Sequence, residues 1–406
     1  MVNYDFLSVY FYSVPNLRFS NPYKLRKVRL GDICTITGGY AFDSHKMKQQ
    51  GEYQIIKMGN LYNGIFDLSR NQSFINAPTK KELEYLIQKN DILITLTGTT
   101  NKKDYGYTVQ IEKPKKLLLN QRCALIRASK VNEKYLFYLL NSNDFLKQFY
   151  ASSTGGTGNQ TNVSINDMLD FKVYISNEND QLKISNILNA LDKKISTQIK
   201  IIELKQSLIK DIEDKLLWKS ASTYSRHISD FLTELNDKSK IQNQYPLLSS
   251  TKKGLFLQTD YFNKEAASSN NIGYKIVHEG DIIISPQNLW MGNITYNDKF
   301  VNGLVSPSYR IYKVKEEYNA YYISRILMSY RALSLYKNIS EQGASIVRRN
   351  LNVDAFNELC FPIPNIKKQD EVSLFLSKLH QELNSEIEIL RQLKNQKKYL
   401  LCNMFI

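Results

Sequence analysis

The sequence has few of the residues that build disulfide frameworks or metal centres. Its four cysteines and four histidines are scattered, with no C-x-x-C pair and no histidine placed to complete a zinc site. Unpaired thiols suit a reducing compartment, so we expect a cytoplasmic protein with no disulfide and no metal. The residues concerned are Cys34, Cys123, Cys360, Cys402, His45, His227, His278 and His380.

Long apolar runs are also missing. No stretch approaches the roughly eighteen consecutive apolar residues of a membrane-spanning helix. Residues 1–14 are apolar and aromatic, but Asp5 interrupts them and no cationic residues precede them. We therefore expect neither a signal peptide nor a membrane segment.

Catalytic motifs are absent in complete form. The Asn-Pro-Tyr segment at residues 21–23 lacks the second proline and the glycine-rich turn of an amino-methyltransferase. The glycine-rich run at residues 155–161 lacks the Lys-Ser/Thr of a phosphate-binding loop. Nuclease-like Glu-x-Lys pairs occur on a predicted helix, where alternating charge is typical of a solvent face; they are Glu203/Lys205 and Glu213/Lys215. We expect no catalytic residue and no cofactor of the chain's own.

Positive charge is abundant. The 406 residues include 54 Lys and Arg against 39 Asp and Glu, a formal net charge of +15. Both halves are basic, with +10 over residues 1–220 and +5 over residues 221–406, so the charge is not confined to one tail. A basic protein of this kind attracts a polyanion, most often nucleic acid, although solubility alone would also explain the charge.

An internal repeat of about 188 residues divides the chain into two similar halves. The repeated blocks occur in the same order in each half, which makes coincidence a poor explanation. A chain of this length also favours two domains. The paired blocks are residues 90–95 with 280–285, 155–162 with 343–350, 173–176 with 361–364, and 181–191 with 369–379.

The predicted fold class is α/β (α+β), with two similar domains separated by long helices. Each domain has short β-branched strands, such as those at residues 92–95 and 282–285, and short helices near residues 135–140 and 321–328. The predicted boundaries are an N-terminal extension at 1–24, a first domain at 25–178, a central helix at 179–222, a second domain at 223–366 and a C-terminal helix at 367–406.

Both long helices carry apolar residues at seven-residue spacing, which is typical of a coiled coil. We expect them to pair antiparallel, related by a pseudo-two-fold axis. A helix of about 38 residues spans roughly 57 Å, so the pair would act as a rigid spacer between the domains. The predicted seam residues are Leu188, Ile195, Ile202, Ile209 and Leu216 in the first helix, and Leu376, Leu383 and Leu390 in the second.

Surface loops in both halves carry the side chains that DNA readout requires. Amides, hydroxyls and guanidinium groups read base edges, and nearby lysines and arginines contact phosphates. The loops hold equivalent places in the two halves but differ in sequence, as two readers of different half-sites would; as an alternative, Gly/Asn/Thr loops are simply turns. The predicted DNA-binding residues are Thr99, Asn101, Lys102, Lys103, Gln160 and Asn162 in the first half, and Gln287, Asn288, Asn293, Gln342, Ser345, Arg348 and Arg349 in the second.

The sequence resembles the specificity subunits of type I restriction–modification systems over essentially its whole length. The similar blocks are the opening segments 14–19 and 28–33, the Gly38-Gly39-Tyr40-Ala41-Phe42 turn, the segments 90–95 and 119–122, the helix starts 181–192 and 369–380, and the ending 400–406. The turn adds Tyr40 to the predicted DNA-binding residues. The second half departs from the pattern, since it begins at residues 227–231 without Leu-Gly-Asp-Ile and has His380 where the first repeat has Asp192.

The resemblance implies a non-catalytic specificity subunit with two target-recognition domains. Each domain would read one half of a bipartite, asymmetric site on double-stranded DNA. The helices would set the spacing and dock methylation subunits, two per chain, which bind S-adenosylmethionine. Restriction subunits that use ATP would join the full complex.

Two other classes of function stay open at this point. A coiled-coil scaffold with two protein-binding heads would show no salt-dependent DNA affinity, whereas a DNA reader would. A self-sufficient methyltransferase or nuclease would bind a cofactor as an isolated chain.

Overall fold

The computed structural model describes residues 25–155, 159–219, 223–252, 254–261, 270–342 and 349–405. The predicted extension at residues 1–24 and the opening motif at residues 14–19 lie outside this part of the chain, as do Ser345 and Arg348. No helix within the described ranges is long and apolar enough to cross a membrane.

The described chain forms two compact units. The first runs up to Gln198 and takes in the end of the chain from Ile389, and the second comprises Ile199–Glu388. Both long helices therefore contribute to both units.

The elements up to the first long helix are, in chain order, β1 (Arg26–Arg29), β2 (Cys34–Gly38), β3 (Tyr53–Ile56), β4 (Phe74–Ile75), α1 (Lys80–Leu83), β5 (Ile92–Thr95), β6 (Thr97–Thr99), β7 (Thr108–Gln110), β8 (Leu117–Leu119), β9 (Cys123–Ala128), α2 (Glu133–Leu139), α3 (Asn143–Ala151), β10 (Thr154–Gly155), β11 (Gln160–Asn162), α4 (Ile165–Asp170), β12 (Lys172–Ile175) and α5 (Glu178–Trp218).

The elements after the first long helix are β13 (Thr223–His227), α6 (Ile228–Phe231), β14 (Leu232–Leu235), β15 (Leu248–Thr251), β16 (Gly254–Leu257), α7 (Gln258–Tyr261), β17 (Lys275–His278), β18 (Ile282–Ile284), β19 (Ile294–Tyr296), β20 (Asn302–Val305), β21 (Arg310–Val314), α8 (Ala320–Leu327), α9 (Tyr330–Asn338), β22 (Ser340–Gln342), β23 (Arg349–Leu351), α10 (Val353–Asn357), β24 (Cys360–Pro364) and α11 (Ile366–Met404).

The two units share one sheet topology, which confirms the predicted repeat. The main sheet has the order β2-β9-β5-β7 in the first unit and β14-β21-β18-β19 in the second, and every neighbouring pair is antiparallel. The short strand β1 pairs with β12, as β13 pairs with β24. The predicted short helices are confirmed as α2 and α8.

The central strands are buried on both faces, which explains their continuous apolar sequence. In β5, Ile92 and Ile94 pack into a core with α2, α3 and α5, whereas Leu93 joins a second core on the other face. In β18, Ile282 and Ile284 pack with α8 and α9, and Ile283 faces the second core. The alternation follows from the two-residue period of a strand.

A repeated hydrogen-bond cluster joins each domain to the long helix that follows it. In the first unit, the backbone N–H of Asn132 donates to the side-chain oxygen of Gln181 at 2.9 Å, and the Gln181 amide donates to the Ser176 carbonyl at 2.8 Å. The Asn132 side chain caps α2 and also accepts from the Ser185 hydroxyl. The buried amide therefore fixes the angle at which α5 leaves its domain.

The second unit repeats this cluster residue for residue. The N–H of Asn319 donates to Gln369 at 2.9 Å, Gln369 donates to the Pro364 carbonyl at 2.8 Å, and Ser373 donates to the Asn319 side chain at 2.8 Å. The similarity of the two helix starts in the sequence is thus explained by a shared hydrogen-bonding requirement.

The long helices pair antiparallel, as predicted. In the second unit, Lys205 bonds Glu386 at 2.8 Å and Glu213 bonds His380 at 3.0 Å. Residue numbers thus increase along α5 in the direction in which they decrease along α11, so the helices are antiparallel. In the first unit, Asp192 of α5 bonds Lys397 of α11 at 2.6 Å.

The buried positions of α5 depart from a strict heptad at its end. Leu188, Ile202 and Ile209 are buried and Ile195 is half-buried, but Leu217 is fully buried where the seven-residue spacing predicts Leu216, which is half-buried. An α-helix with 3.6 residues per turn drifts by about 20° per heptad, so over four heptads the buried face moves on by one residue. Of the predicted α11 seam residues, Leu376 and Leu383 are buried and Leu390 is half-buried.

An ion-pair cluster in the second unit joins α5, α8 and α11. The Glu213 carboxylate accepts from Arg325 Nε at 2.7 Å and from His380 Nε2 at 3.0 Å. Burial raises the pKa of this carboxyl, but the His380 hydrogen bond and the Arg325 charge lower it by more, so that it lies below its usual range. In the first unit, Tyr138 of α2 and Lys397 of α11 bond Asp192 in the same way.

We expect Gln181→Ala to lower the free energy of unfolding by about 1–3 kcal/mol, because the Asn132 N–H and the Ser176 carbonyl would lose a buried partner. Urea denaturation of the full chain measures this. Gln381→Ala removes an exposed glutamine from α11 and is the matched control. Equal stability of the two variants would contradict the role given to Gln181.

We expect the stabilising effect of Glu213 to depend on pH. Because its pKa is depressed in the folded protein, the stabilisation is complete above the ordinary glutamate pKa of about 4.3 and is lost as pH falls through the folded value. The difference in thermal unfolding midpoint between wild type and Glu213→Gln should be largest near neutral pH and shrink in acid. Glu203→Gln, at an exposed site on the same helix, serves as control. A constant difference at all pH values would contradict this account.

Candidate nucleic-acid interface

In the first unit, two predicted loops meet at the end of strand β5. Strand β6 pairs with β11, the Thr97 hydroxyl donates to Asn162 Oδ1 at 3.0 Å, and the Thr100 N–H donates to the Asn159 carbonyl at 2.9 Å. Residues that are far apart in the sequence thus form one surface. The predicted residues on it are Thr99, Asn101, Lys102, Lys103, Gln160 and Asn162.

Asp104 holds the loop at residues 97–103 in a fixed shape. Its carboxylate accepts from both the N–H and the hydroxyl of Thr99, each at 2.7 Å. Burial raises the pKa of the Asp104 carboxyl, but the Thr99 hydrogen bonds and the Lys102 charge lower it by more. The pKa therefore lies below its usual range, and the carboxylate is ionised at neutral pH. Asn101 adopts a left-handed conformation with φ of 64°, which suits asparagine at a tight turn.

The amide and the cations of this loop point to solvent. Asn101, Lys102 and Lys103 are exposed, as are Gln160 and Asn162 on the neighbouring strand. The Lys103 ammonium lies 5.2 Å from the centre of the Tyr150 ring, which orients it without neutralising it. Donors, acceptors and positive charge are therefore available together.

Tyr40 lies at the same end of the sheet but is partly used in packing. Its ring contacts Phe42 and Tyr85 at centroid distances of 5.0 and 5.1 Å, and its backbone pairs with Asn120. A Cβ on Gly39 would lie 2.1 Å from the Asn120 carbonyl oxygen, so only glycine permits this approach.

The turn at residues 120–122 extends the same edge and was not among the predicted DNA-binding residues. The Leu96 N–H donates to the Arg122 carbonyl at 3.0 Å, and the side chains of Gln121 and Arg122 are exposed. We call the surface formed by Tyr40, residues 97–103, residues 120–122 and residues 159–162 the first edge.

In the second unit, a predicted loop and the hairpin β22–β23 lie side by side. The Arg349 N–H donates to the Gln287 carbonyl at 3.3 Å, and the Arg349 guanidinium lies 4.6 Å from the centre of the Trp290 ring. Gln287 is exposed and Asn288 is half-buried. The backbone of Gln342 pairs with Arg349, while Ser345 and Arg348 lie beyond the described residues.

The side chain of Asn293 holds its loop in place and does not point freely to solvent. Its Oδ1 accepts from the Ser250 hydroxyl at 2.9 Å and its Nδ2 donates to the Ser250 carbonyl at 3.3 Å, so the amide ties its loop to strand β15. Gly292 precedes it with φ of 88°, a conformation that favours glycine. The sequence offers no sign that distinguishes Asn293 from its exposed neighbour Gln287.

An open cavity of about 560 Å³ lies beside this loop. Its walls come from the β15–β16 hairpin, the loop after β18 and the turn before β21. Most of its polar lining was not predicted from the sequence, because these residues form no motif. The residues that were not predicted include Lys252, Gln258, Tyr274, Ser306 and Tyr309. We call this cavity, with Gln287 and Arg349, the second edge.

The two edges hold the same place in the two units. The strand pair β10–β11 of the first unit corresponds to the pair β22–β23 of the second. Loops then follow the equivalent strands β5 and β18. The same framework therefore presents different polar side chains at each edge. Among the residues that the structure describes, no group of three or more His, Cys, Asp or Glu could hold a metal ion.

Residues 22–206 match the family model of the type I restriction modification DNA specificity domain. Residues 22–206 therefore contain a domain of this family. Two solved structures match it over nearly their full length. A type I restriction–modification S subunit from M. genitalium is 14% identical, with a TM-score of 0.57, over 97% of this chain and 99% of that one.

A second structure, described as the basis of complex assembly and conformational transition of the type I R-M system, is 12% identical. Its TM-score is 0.56, over 95% of this chain and 98% of that one. At these identities the likeness concerns the fold, which confirms the specificity-subunit architecture of mixed helix and sheet with a long linking helix. No curated protein sequence matches the chain.

Because the match to the DNA specificity domain includes the first edge, contact between this edge and DNA phosphates can be tested directly. We expect Lys102→Ala with Lys103→Ala to reduce the slope of log affinity against log salt concentration by about two, since each phosphate contact contributes about 0.9. DNA titrations of the assembled complex between 50 and 200 mM salt measure the slope. Lys130→Ala with Lys172→Ala is the control, because both lysines are exposed near the opposite end of β9. An unchanged slope in the first variant would exclude these phosphate contacts.

Proposed function

We propose that the chain is the DNA sequence-reading subunit of a type I restriction–modification complex, with each unit reading one half of a bipartite, asymmetric site. The observation that carries the proposal is the pair of edges. One sheet topology, used twice, presents two different sets of amides, hydroxyls and cations at the same place. A scaffold that binds one kind of protein twice has no need for this difference.

The first edge supports direct readout with a basic surround. Exposed amides such as Asn101 and Gln160 can donate and accept at base edges, and Lys102, Lys103 and Arg122 can contact phosphates. Tyr40, Thr99 and Asn162 lie on the same surface and are proposed to frame it.

The second edge supports readout through Gln287, Asn288 and Arg349. Gln287 and Asn288 carry amides suited to a purine edge, and Arg349 carries a guanidinium. Gln342, Ser345 and Arg348 belong to the same segment of chain and stay proposed contacts. Asn293 is proposed to act by holding the loop in place.

The long helices are proposed to set the spacing between the half-sites and to dock methylation subunits, two per chain. The outer face of α5 in the second unit carries Leu204 and Leu208, which are 71% and 59% exposed and one helical turn apart. On α11, Leu374 is 61% and Phe375 is 48% exposed. Neighbouring apolar side chains of this kind on a charged helix suit burial against another subunit.

The chemistry of the complex is proposed to belong to these partners. The methylation subunits would bind S-adenosylmethionine, and restriction subunits in the full complex would use ATP. The described residues contribute binding surfaces and a spacer, and we propose no cofactor for this chain. A cytoplasmic location is proposed with the same function.

The test is the adenine and cytosine methylation pattern of the host genome, with and without the gene. We expect loss of methylation at one split motif with two defined halves and a fixed gap. An unchanged pattern, with a methylation subunit shown to be active, would contradict the proposal.

Within that test, we expect Gln287→Ala to relax one half of the motif and leave the other half unchanged. Loss of a bidentate base contact costs about 1–3 kcal/mol of discrimination. Glu316→Ala, at an exposed position just past the end of β21 that is farther from Gln287, is the control and should leave both halves intact. Relaxation of both halves, or of neither, would remove Gln287 from the reading surface.

A further inference from the structure

The loop at residues 57–71 of the first unit is held rigidly although it carries exposed apolar side chains. Asn60 is fully buried, and its side chain accepts from the Lys57 N–H at 2.9 Å. The same amide donates to the carbonyls of Asp67 and Arg70 at 2.9 and 2.6 Å. One buried side chain therefore joins both ends of the loop.

The backbone of this loop includes three left-handed conformations, each at an asparagine or a glycine. Asn63 and Asn71 have positive φ values of 58° and 46°, and Gly64 follows with 71°. A Cβ on Gly59 would lie 2.1 Å from the Asn71 amide nitrogen. Asparagine and glycine adopt this conformation readily, so the sequence suits the sharp turns that shape the loop.

The tip of the loop, Tyr62–Ile65, is the part that this construction presents to solvent. Tyr62 is 52% exposed and Ile65 is 64% exposed, whereas the preceding Leu61 is fully buried in the core. The Arg70 guanidinium lies 5.7 Å from the centre of the Tyr62 ring, and its Nε bonds Asp67 at 3.2 Å. An aromatic ring, an aliphatic side chain and a cation thus lie together on a fixed support.

The tip lies beside the first edge. The Tyr62 ring is 5.6 Å from the ring of Tyr107. The Tyr107 N–H donates to the Thr95 hydroxyl at 3.0 Å, and the Thr95 N–H donates back to the Tyr107 carbonyl. Thr95 ends β5, and the loop at residues 97–103 begins two residues later.

We propose that Tyr62 and Ile65 form an apolar wedge that packs against a partly unstacked base step of DNA, with Arg70 on a flanking phosphate. This inference rests on the proposed function and deepens it, since it adds a site that senses how easily the DNA deforms. Apolar wedges at base steps are favoured where stacking is weak, as at pyrimidine–purine steps. The exposed lysines Lys102 and Lys103 of the adjoining first edge favour DNA as the occupant over a protein surface.

Affinity and its salt dependence together distinguish apolar contact by Tyr62 and Ile65 from ionic contact by Arg70. In the assembled complex, Tyr62→Ala with Ile65→Ser should weaken binding to the cognate duplex about tenfold, as expected for loss of one stacked aromatic contact. The salt dependence should stay that of wild type, because no charge is removed. Arg70→Gln should instead reduce the slope of log affinity against log salt by about 0.9.

A duplex with 2-aminopurine at successive positions of the first half-site supplies the direct readout. Wild-type complex should raise the fluorescence at one step, and the Tyr62/Ile65 variant should not. Tyr224→Ala removes a comparably exposed tyrosine from β13 of the second unit and should behave as wild type. Ile65→Ser alone, at the more exposed position, gives a second variant should the double substitution lower the thermal unfolding midpoint.

Two outcomes would overturn the wedge. Unchanged affinity and fluorescence in the Tyr62/Ile65 variant would show that the tip does not touch DNA. Loss of methylation-subunit copurification would show that the tip is a protein contact instead. Failure of the proposed function is distinguishable, because wild-type complex would then show no preference for any split motif.

Discussion

The buried amide at the start of each long helix is the interaction on which the rest of the structure depends. Gln181 and Gln369 each accept from the backbone of an asparagine that caps a domain helix and donate to a backbone carbonyl at or just after the end of the last strand. Two segments that lie about 50 residues apart in the sequence therefore meet at one side chain. A glutamine amide has a donor and an acceptor in a fixed geometry, so this contact sets a direction as well as contributing stability. The helix leaves each domain at one defined angle because of it.

The opposite ends of the sheets have no such constraint, and there the two units differ. After strand β5 the chain forms a lysine-bearing loop fixed by Asp104, whereas after β18 it forms a short turn fixed by Asn293. Both solutions satisfy the backbone of a loop that leaves a buried strand. What they present to solvent is unrelated. A protein whose two halves must fold alike but recognise different ligands can change these ends without disturbing the helix contacts.

The sequence predicted the domain ends that join the long helices far better than the opposite ends, which carry the loops. The repeated helix starts were recognisable because Gln181, Ser185 and their counterparts make the same hydrogen bonds in both units. The seam was predicted to Ile209, but Leu217 replaces Leu216 because seven-residue spacing ignores the drift of a straight helix. Target-recognition boundaries and individual base contacts stay predictions.

The direction of side chains in the loops could not be predicted from the sequence in the same way. Asn293 and Gln287 are both polar residues in one loop, and only the fold shows that the first is bonded to Ser250 while the second is exposed. Tyr62 and Ile65 resemble core residues in the sequence, since nothing in a single chain shows that the buried Asn60 turns them outward. Side-chain direction in a loop depends on contacts with distant segments, and composition carries no record of them.

The ion pairs between the long helices add a difference that the shared hydrogen bonds do not. In both units α5 supplies the acid and α11 the base, but at different positions. The pair is Asp192 with Lys397 in the first unit and Glu213 with His380 in the second. At the offset of the repeat, Lys397 corresponds to Ile209 and Glu213 to Leu401, so neither charge has a counterpart on the other helix. Each ion pair consequently requires one helix from each half of the chain. The halves are alike in how they hold their own helix and unlike in how that helix meets the other, and two copies of either half could form neither ion pair.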